Sequence, residues 1–331
     1  VVTQVSLALV LLIGSGLLLR SYQAMKFVDP GFDAPDEVVT VRVSISPANT
    51  DLPARIAETH RRIQAALAAL PGATSVGASS SVTMDGQDSH NAIYVEDFMP
   101  DPGVQPPMFR VKDIMPGYTE TMGIRLLAGR TLADADLLDL AQRVVVSEGF
   151  ATRFWPDARS AVGRRIAFQP GEWWEIVGVV EAVLDDGMDR PPVVVAYFPM
   201  TGVGANGQAY ARSTLTHVVR SPRGGDLIPE VRAAVWAVDP ELPLSLTTQA
   251  ETVERTLGRT TFTMGMLGLS AVLALLLGTV GIYGVISYMV IQRTREIGVR
   301  IALGATSSGV SRLMVGQGLG LAAWGVGIGL V

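Results

Sequence analysis

The 331 residues contain no cysteine and only two lysines, Lys26 and Lys112, and 17% of the residues are charged. Without cysteine there is no disulfide framework, no thiolate metal cluster and no cysteine nucleophile. Neither lysine closes a G-x-x-x-x-G-K-[ST] string, so the chain carries no Walker A phosphate loop. A net charge of -5 gives no basic field to hold nucleic acid. The mean hydropathy of +0.34 is too high for an ordinary cytosolic enzyme.

The apolar residues are concentrated. Residues 1–19 carry no charge, 33 uncharged residues separate Arg259 from Arg293, and Leu313 to Val331 is a third uncharged run. A bilayer core needs about 20 helical residues, whereas buried helices of soluble proteins are usually shorter. The sequence therefore predicts three membrane spans, at 1–19, 260–292 and 313–331. There is no initiator Met and both ends fall inside apolar segments. This reads as part of a longer polypeptide, with an upstream cytoplasmic segment and a further span after Val331. The connector 293–312 carries +3, while the charges between Arg20 and Arg259 sum to -8. Short basic loops stay in the cytoplasm. That places the connector inside and residues 20–259 outside.

The long segment reads as mixed α/β. Glu37–Ile45 alternates with period two, and Ile56, Ile63, Leu67 and Leu70 mark a helix of about 18 residues that starts at Asp51 and closes at Pro71-Gly72. A strand at 74–78 follows. Further strands are expected at 92–95, 108–114, 143–146, 164–168, 174–183, 193–198, 214–220 and 244–247, with short helices at 117–122 and 147–154. Asp226 is expected to cap a helix ending at Asp239-Pro240, and Gln249 onward to run as a helix into the second span. The fold class is α+β: transmembrane helices plus a two-lobed extracytoplasmic domain inserted between the first and second spans. The middle lobe covers about 108–212.

Catalytic chemistry does not surface. His60, His90 and His217 are far apart in sequence and lack zinc spacing. Asp185-Asp186-Gly187 with Asp189 offers carboxylates to a cation but reads more simply as a solvated turn. Ser79-Ser80-Ser81 is not a nucleophile elbow. Trp173 and Trp174 read as packing residues. No enzyme activity, metal or cofactor is expected.

The connector is more informative. In QRTREIGVRIALGAT (292–306), Arg293, Glu296 and Arg300 share one helical face, and Glu296 to Arg300 is the favourable i,i+4 orientation. Gly304 suits the helix end. In the second span Gly278, Gly281 and Gly284 recur every three residues, and Gly316 with Gly320 forms a G-x-x-x-G pair in the third. Small residues let helices approach closely in lipid. No ionisable residue lies inside a span, which argues against an ion-coupled transporter.

The string RTREIGVRIALGAT resembles the signature of the FtsX-like permease family, the membrane subunits of type VII ABC transporters, here over 262–331. DPGFDAPDEVVTVRV from Asp29, GYTETMGIRLLAGR from Gly117, VVVSEGFATRFWPDARSAVGRRI from Val144 and EIVGVVEAVLDDGMDRPP from Glu175 resemble a MacB-like periplasmic core. The resemblance implies a multi-pass protein of the bacterial inner membrane, with ATP hydrolysed by a separate cytoplasmic ABC ATPase. Arg293, Arg295, Glu296 and Arg300 would then form the ATPase-coupling segment. The expected partners are that ATPase, a second permease copy or half, membrane lipid, and a periplasmic adaptor or outer-membrane channel. The function implied is efflux or mechanotransmission. The alternatives are a membrane-anchored extracytoplasmic sensor or ligand-binding protein and, with no positive feature behind it, an anchored extracytoplasmic enzyme.

Overall fold

The computed structural model describes residues 6, 10, 13, 14, 16, 17, 20, 30–46, 52–140, 142–188, 190–204, 207–292, 294, 295, 299 and 327, without the side chains of 257–264, 275, 282, 285, 286 and 289. The chain forms two compact units, one of residues 28–257 and one of 1–27 with 258–331.

The larger unit begins with β1 (Val38–Ser44), in which Val39, Val41 and Val43 face one hydrophobic core while Thr40, Arg42 and Ser44 alternate to the other side. Helix α1 (Pro53–Ala68) starts with proline in its first turn and buries Ile56, His60, Ile63 and Leu67 at helical spacing. Asp51, the expected cap, lies outside the described residues. Strand β2 (Ser75–Ser79) follows. An insertion then runs from residue 80 to 213. It contains β3 (His90–Ala92), β4 (Tyr94–Val95), β5 (Met108–Met115), α2 (Tyr118–Met122), β6 (Leu126–Gly129), α3 (Asp134–Leu138), β7 (Arg143–Ser147), α4 (Glu148–Phe154) and α5 (Ala158–Ala161). It ends with β8 (Arg165–Ala167), β9 (Trp174–Val180), β10 (Val195–Pro199), β11 (Thr201–Val203) and β12 (Ala209–Ala211). The chain then returns through β13 (Thr214–Arg220), α6 (Ile228–Val238) and β14 (Leu244–Thr248) to the 44-residue helix α7 (Gln249–Gln292).

Strands β14-β1-β13-β2 are antiparallel neighbours, so β1-α1-β2 and β13-α6-β14 are two interleaved split β-α-β units. Both helices cover one face, where Ile63, Leu67, Val231 and Val235 close over Val39, Val41 and Val219. The insertion extends the same sheet as β5-β10-β7-β9-β8-β4, with β3 on β5 and β6 on β9. Its central strands are buried on both faces. In β7, Val144 and Val146 join a core with Phe109, Phe150 and Trp174, whereas Val145 joins another with Tyr118, Tyr197 and Val218. Burial on both sides explains uninterrupted runs such as Val144-Val145-Val146. Where β2 meets α2, a Cβ on Gly77 would stand 2.3 Å from the Tyr118 backbone nitrogen, so glycine permits this contact.

The described elements correct the sequence reading at several points. Asp226 does not cap a helix; it sits in a 3-10 turn (Gly224–Leu227), and α6 starts at Ile228 with Pro229 in its first turn. Proline presets the first-turn φ, so no side-chain cap is needed there. Strand β9 ends at Val180, although Val183 and Leu184 still pack into the core. Strand β6, helices α3 and α5 and the β11-β12 hairpin had no sequence signal, being three to five residues long.

Helix α7 is continuous through residues 260–292. Among the described residues no helix is long and apolar enough to cross a membrane; the apolar run of α7 includes positions whose side chains lie outside the description. The runs 1–19 and 313–331 lie almost wholly outside it.

Candidate functional site

The α/β domain holds the start of α7 through one loop. Residues 82–88 fold around the Asp85 carboxylate, which accepts hydrogen bonds from the Val82 and Gln87 amides, both at 2.8 Å. Burial pushes the Asp85 carboxyl up, against the pull of these two amides. The turn places Met84 at φ 64°, a conformation uncommon for a side chain with a Cβ. It also leaves two carbonyls facing α7. Gln249, the first residue of α7 and fully buried, donates its side-chain amide to the Thr83 carbonyl at 2.7 Å. The Thr256 hydroxyl shares its proton between the Met84 carbonyl at 3.3 Å and the Thr252 carbonyl of its own helix at 3.1 Å. Between them Val253 packs against the core that contains Val82, Met84 and Tyr118. Gln249, Val253 and Thr256 stand at i, i+4 and i+7, one face over two turns.

Beneath the loop is a buried ionic cluster. The Lys112 ammonium lies 2.7 Å from Asp185, and both side chains are 2% exposed. Arg110 reaches Asp186 at 2.7 Å and Asp185 at 3.6 Å. Burial works to lower the Lys112 pKa, but the adjacent Asp185 carboxylate outweighs it and holds the ammonium above its ordinary range. Asp185 is therefore no solvated turn residue; it is the counter-charge of Lys112, and its main chain carbonyl also accepts the Met84 amide at 3.0 Å. Asp189 lies outside the described residues. Arg110 and Lys112 stand two apart on one face of β5 and require acids opposite them. Lysine-arginine spacing inside an apolar strand was the signal that sequence reasoning passed over.

Three more buried groups were missed. His60 Nδ1 and His217 Nε2 lie 3.1 Å apart, joining α1 to β13. Asp136, with no exposed side-chain surface, binds Arg130 at 2.7 Å and Arg143 at 2.6 Å; these and the Ala133 amide overcome burial and hold its carboxyl well below the usual range. Asp113 is opposite in sense. Burial pushes it up to about 6, although Arg212 Nε is 2.5 Å away.

Of the residues singled out in the connector, Arg295 is helical and exposed, and Arg293, Glu296 and Arg300 lie outside the described residues. Gly278, Gly281 and Gly284 lie on α7. A Cβ added at Gly278 or Gly284 would meet no described atom within 4 Å. Gly316 and Gly320 lie outside the described residues.

The loop borders two adjoining cavities. One, of about 340 Å³, lies between the face of β14-β1-β13 opposite α1 and α6, where Thr40 and Thr216 are buried, the loop and the first turns of α7. The other, of about 260 Å³, lies over Arg110, Asp185 and Asp186.

Comparison with known proteins bears on the whole chain. The family model for the MacB-like periplasmic core domain matches residues 5–238, and that for the FtsX-like permease C-terminal matches residues 268–331. A macrolide export ATP-binding/permease protein MacB of Rhodopseudomonas palustris (strain HaA2) is 28% identical over 226 residues, covering 64% of this chain and 34% of that protein. Its counterpart from Acinetobacter baylyi is 26% identical over 202 residues, covering 58% and 29%. The chain thus spans about a third of the length of these relatives. The crystal structure of the periplasmic region of MacB from Actinobacillus actinomycetemcomitans aligns with a TM-score of 0.44 at 16% identity, over 69% of this chain and 94% of that one. With core-domain and permease models matched in succession along it, the chain belongs to the family of FtsX-like permeases with a MacB-like periplasmic core domain.

Proposed function

We propose that the protein is the permease part of an ABC-type efflux or mechanotransmission complex. In this reading residues 1–19, 260–292 and 313–331 span the bacterial inner membrane, residues 20–259 stand outside it with a middle lobe at about 108–212, and 293–312 face the cytoplasm. An ABC ATPase engages the connector through Arg293, Arg295, Glu296 and Arg300. A second permease copy or half packs through the glycine stripes. An adaptor or outer-membrane channel continues the path outside. The relatives are named as ATP-binding and permease proteins in one; no Walker A loop occurs here, so the hydrolysing unit is assigned outside residues 1–331.

The observation that carries this reading is the attachment of α7. A buried grip at Gln249, Val253 and Thr256 starts a single helix that continues through 33 uncharged residues. In this reading α7 is the rod that carries movement between the folded domain and the membrane. Large apolar side chains along the rod stay uncovered, Leu277 at 61%, Val280 at 68% and Ile291 at 72% exposure, as suits a helix surrounded by lipid.

The test loosens the grip without touching the rest. Gln249→Ala with Thr256→Val, made in the full-length protein, should keep ATPase association at the wild-type level. Permease-dependent stimulation of ATP hydrolysis should fall several-fold. Unchanged stimulation, with hydrogen exchange showing that the start of α7 has loosened, would overturn the coupling role.

A further inference from the structure

The interleaved β-α-β units cover only one face of β14-β1-β13-β2. On the other face, cross-strand pairing aligns Ser245, Arg42 and Thr216 in one row. The neighbouring row sets Thr247 beside Thr40. This face is hydroxyl-rich where a core would be apolar, and it forms the floor of the 340 Å³ cavity. Arg42 is half-buried there, and its one side-chain hydrogen bond among the described residues is a long one, 3.5 Å to the Thr216 hydroxyl. Arg255 stands on the wall formed by α7; among the described residues its ion-pair partner is Glu251 at 3.9 Å, which also accepts the hydroxyl of Thr247. Asp85, the one carboxylate residue lining the cavity among the described residues, has both oxygens engaged by its own loop. A concave site with two guanidinium groups, several hydroxyls and a carboxylate already bonded to its own loop suits a tetrahedral oxyanion, since guanidinium forks match phosphate oxygens in pairs.

We propose that this cavity is a binding site for a phosphate group, gripped between Arg42 and Arg255 over this sheet face. Arg255 precedes the uncharged run of α7 by five residues, about 7.5 Å of helical rise, which is headgroup depth if that run spans the bilayer. An anionic phospholipid headgroup is therefore the first source of the phosphate, and free phosphate the second. The lipid source rests on the membrane reading given under Proposed function; the chemistry of the site does not.

The experiment compares the full-length protein with Arg42→Gln/Arg255→Gln and, separately, with Ser245→Glu. Ser245 is exposed, so its glutamate adds repulsion in the cavity without disturbing the core. Carbonate extraction of the membranes establishes whether the chain is integral. Purified protein is then loaded with phosphatidylglycerol or phosphatidylcholine, and retained lipid is counted by native mass spectrometry. Binding of inorganic phosphate is measured by calorimetry. The proposal expects both variants to retain about tenfold less phosphatidylglycerol at unchanged phosphatidylcholine, or, if free phosphate is the ligand, to lose calorimetric binding by a similar factor. A chain released by carbonate ends the membrane reading and leaves the phosphate arm to decide the site. An integral chain whose variants match wild type for both probes overturns the site alone.

Discussion

The His60 and His217 rings meet at 3.1 Å in a core where neither has exposed surface. The second His60 nitrogen, Nε2, lies 3.4 Å from the Ser213 carbonyl and must donate to it. His60 Nδ1 is then an acceptor, and His217 Nε2–H donates to it. His217 Nδ1 is left as a lone pair with no partner. Both rings are therefore neutral.

Burial lowers His60 to about 4 and also holds His217 well below its ordinary value. The unfolded chain takes up these protons near pH 6.5 and the folded one does not, so their contribution is full above that pH and is lost as pH falls toward 4. Asp113 acts in the opposite direction, because its raised pKa favours the folded state at low pH. The effect must therefore be read as a difference. Relative to His60→Phe/His217→Leu, the wild type should lose on the order of 3 kcal/mol of unfolding free energy between pH 7 and pH 4. Denaturant titrations at the two pH values check this, and parallel stability curves would show that the pair does not titrate on unfolding.

The Lys112–Asp185 pair carries a second expectation. Lys112→Met removes the cation and leaves Asp185 buried with Arg110 at 3.6 Å. Breaking one side of a buried pair typically costs about 3–5 kcal/mol, whereas replacing both with apolar residues is often close to neutral. Lys112→Met should therefore lower the melting temperature strongly, and Lys112→Met/Asp185→Leu should recover most of the loss. The Met84–Asp185 bond is made by the main chain and survives both changes. A double variant no better than the single one would show that Arg110 and Asp186 depend on Asp185 as much as Lys112 does.

These pairs also mark where the sequence stops being legible. Strands such as β7 and β10, and helix α1 with Ile56, Ile63 and Leu67, announce themselves because period and burial are local properties. His60 falls within the same helical stripe, so its inward direction was readable. Its partner lies 157 residues away, and no local pattern names it. The grip on α7 is less legible still. Gln249 and Thr256 donate to main-chain carbonyls of Thr83 and Met84, and carbonyls leave no trace in residue identity.

Orientation is open to direct measurement. The connector carries +3, and short basic loops remain in the cytoplasm. Asp101 is exposed on the α/β domain. In intact cells with the outer membrane permeabilised, a cysteine replacing Asp101 should react with an impermeant maleimide, and one replacing Ser307 should react only after the inner membrane is opened. The reverse pattern would invert the proposed topology.

The proposed coupling contact is made by Glu296 and Arg300, which lie outside the described residues. In the proposed reading energy arrives through an ABC ATPase, and the connector is the charged segment on the side assigned to it. An exposed i,i+4 pair contributes only about 0.3–0.5 kcal/mol to folding, and reversing either charge should leave insertion and abundance unchanged. At an interface the same reversal strands a desolvated partner charge, at about 2–5 kcal/mol of binding. Glu296→Arg or Arg300→Glu in the full-length permease should therefore lower ATPase co-purification by at least about tenfold, together with permease-dependent ATP hydrolysis. The double reversal should recover part of the loss only if the two residues chiefly serve each other. If both single variants retain wild-type association and coupled hydrolysis, the connector is a topology anchor and the contact with the ATPase lies elsewhere.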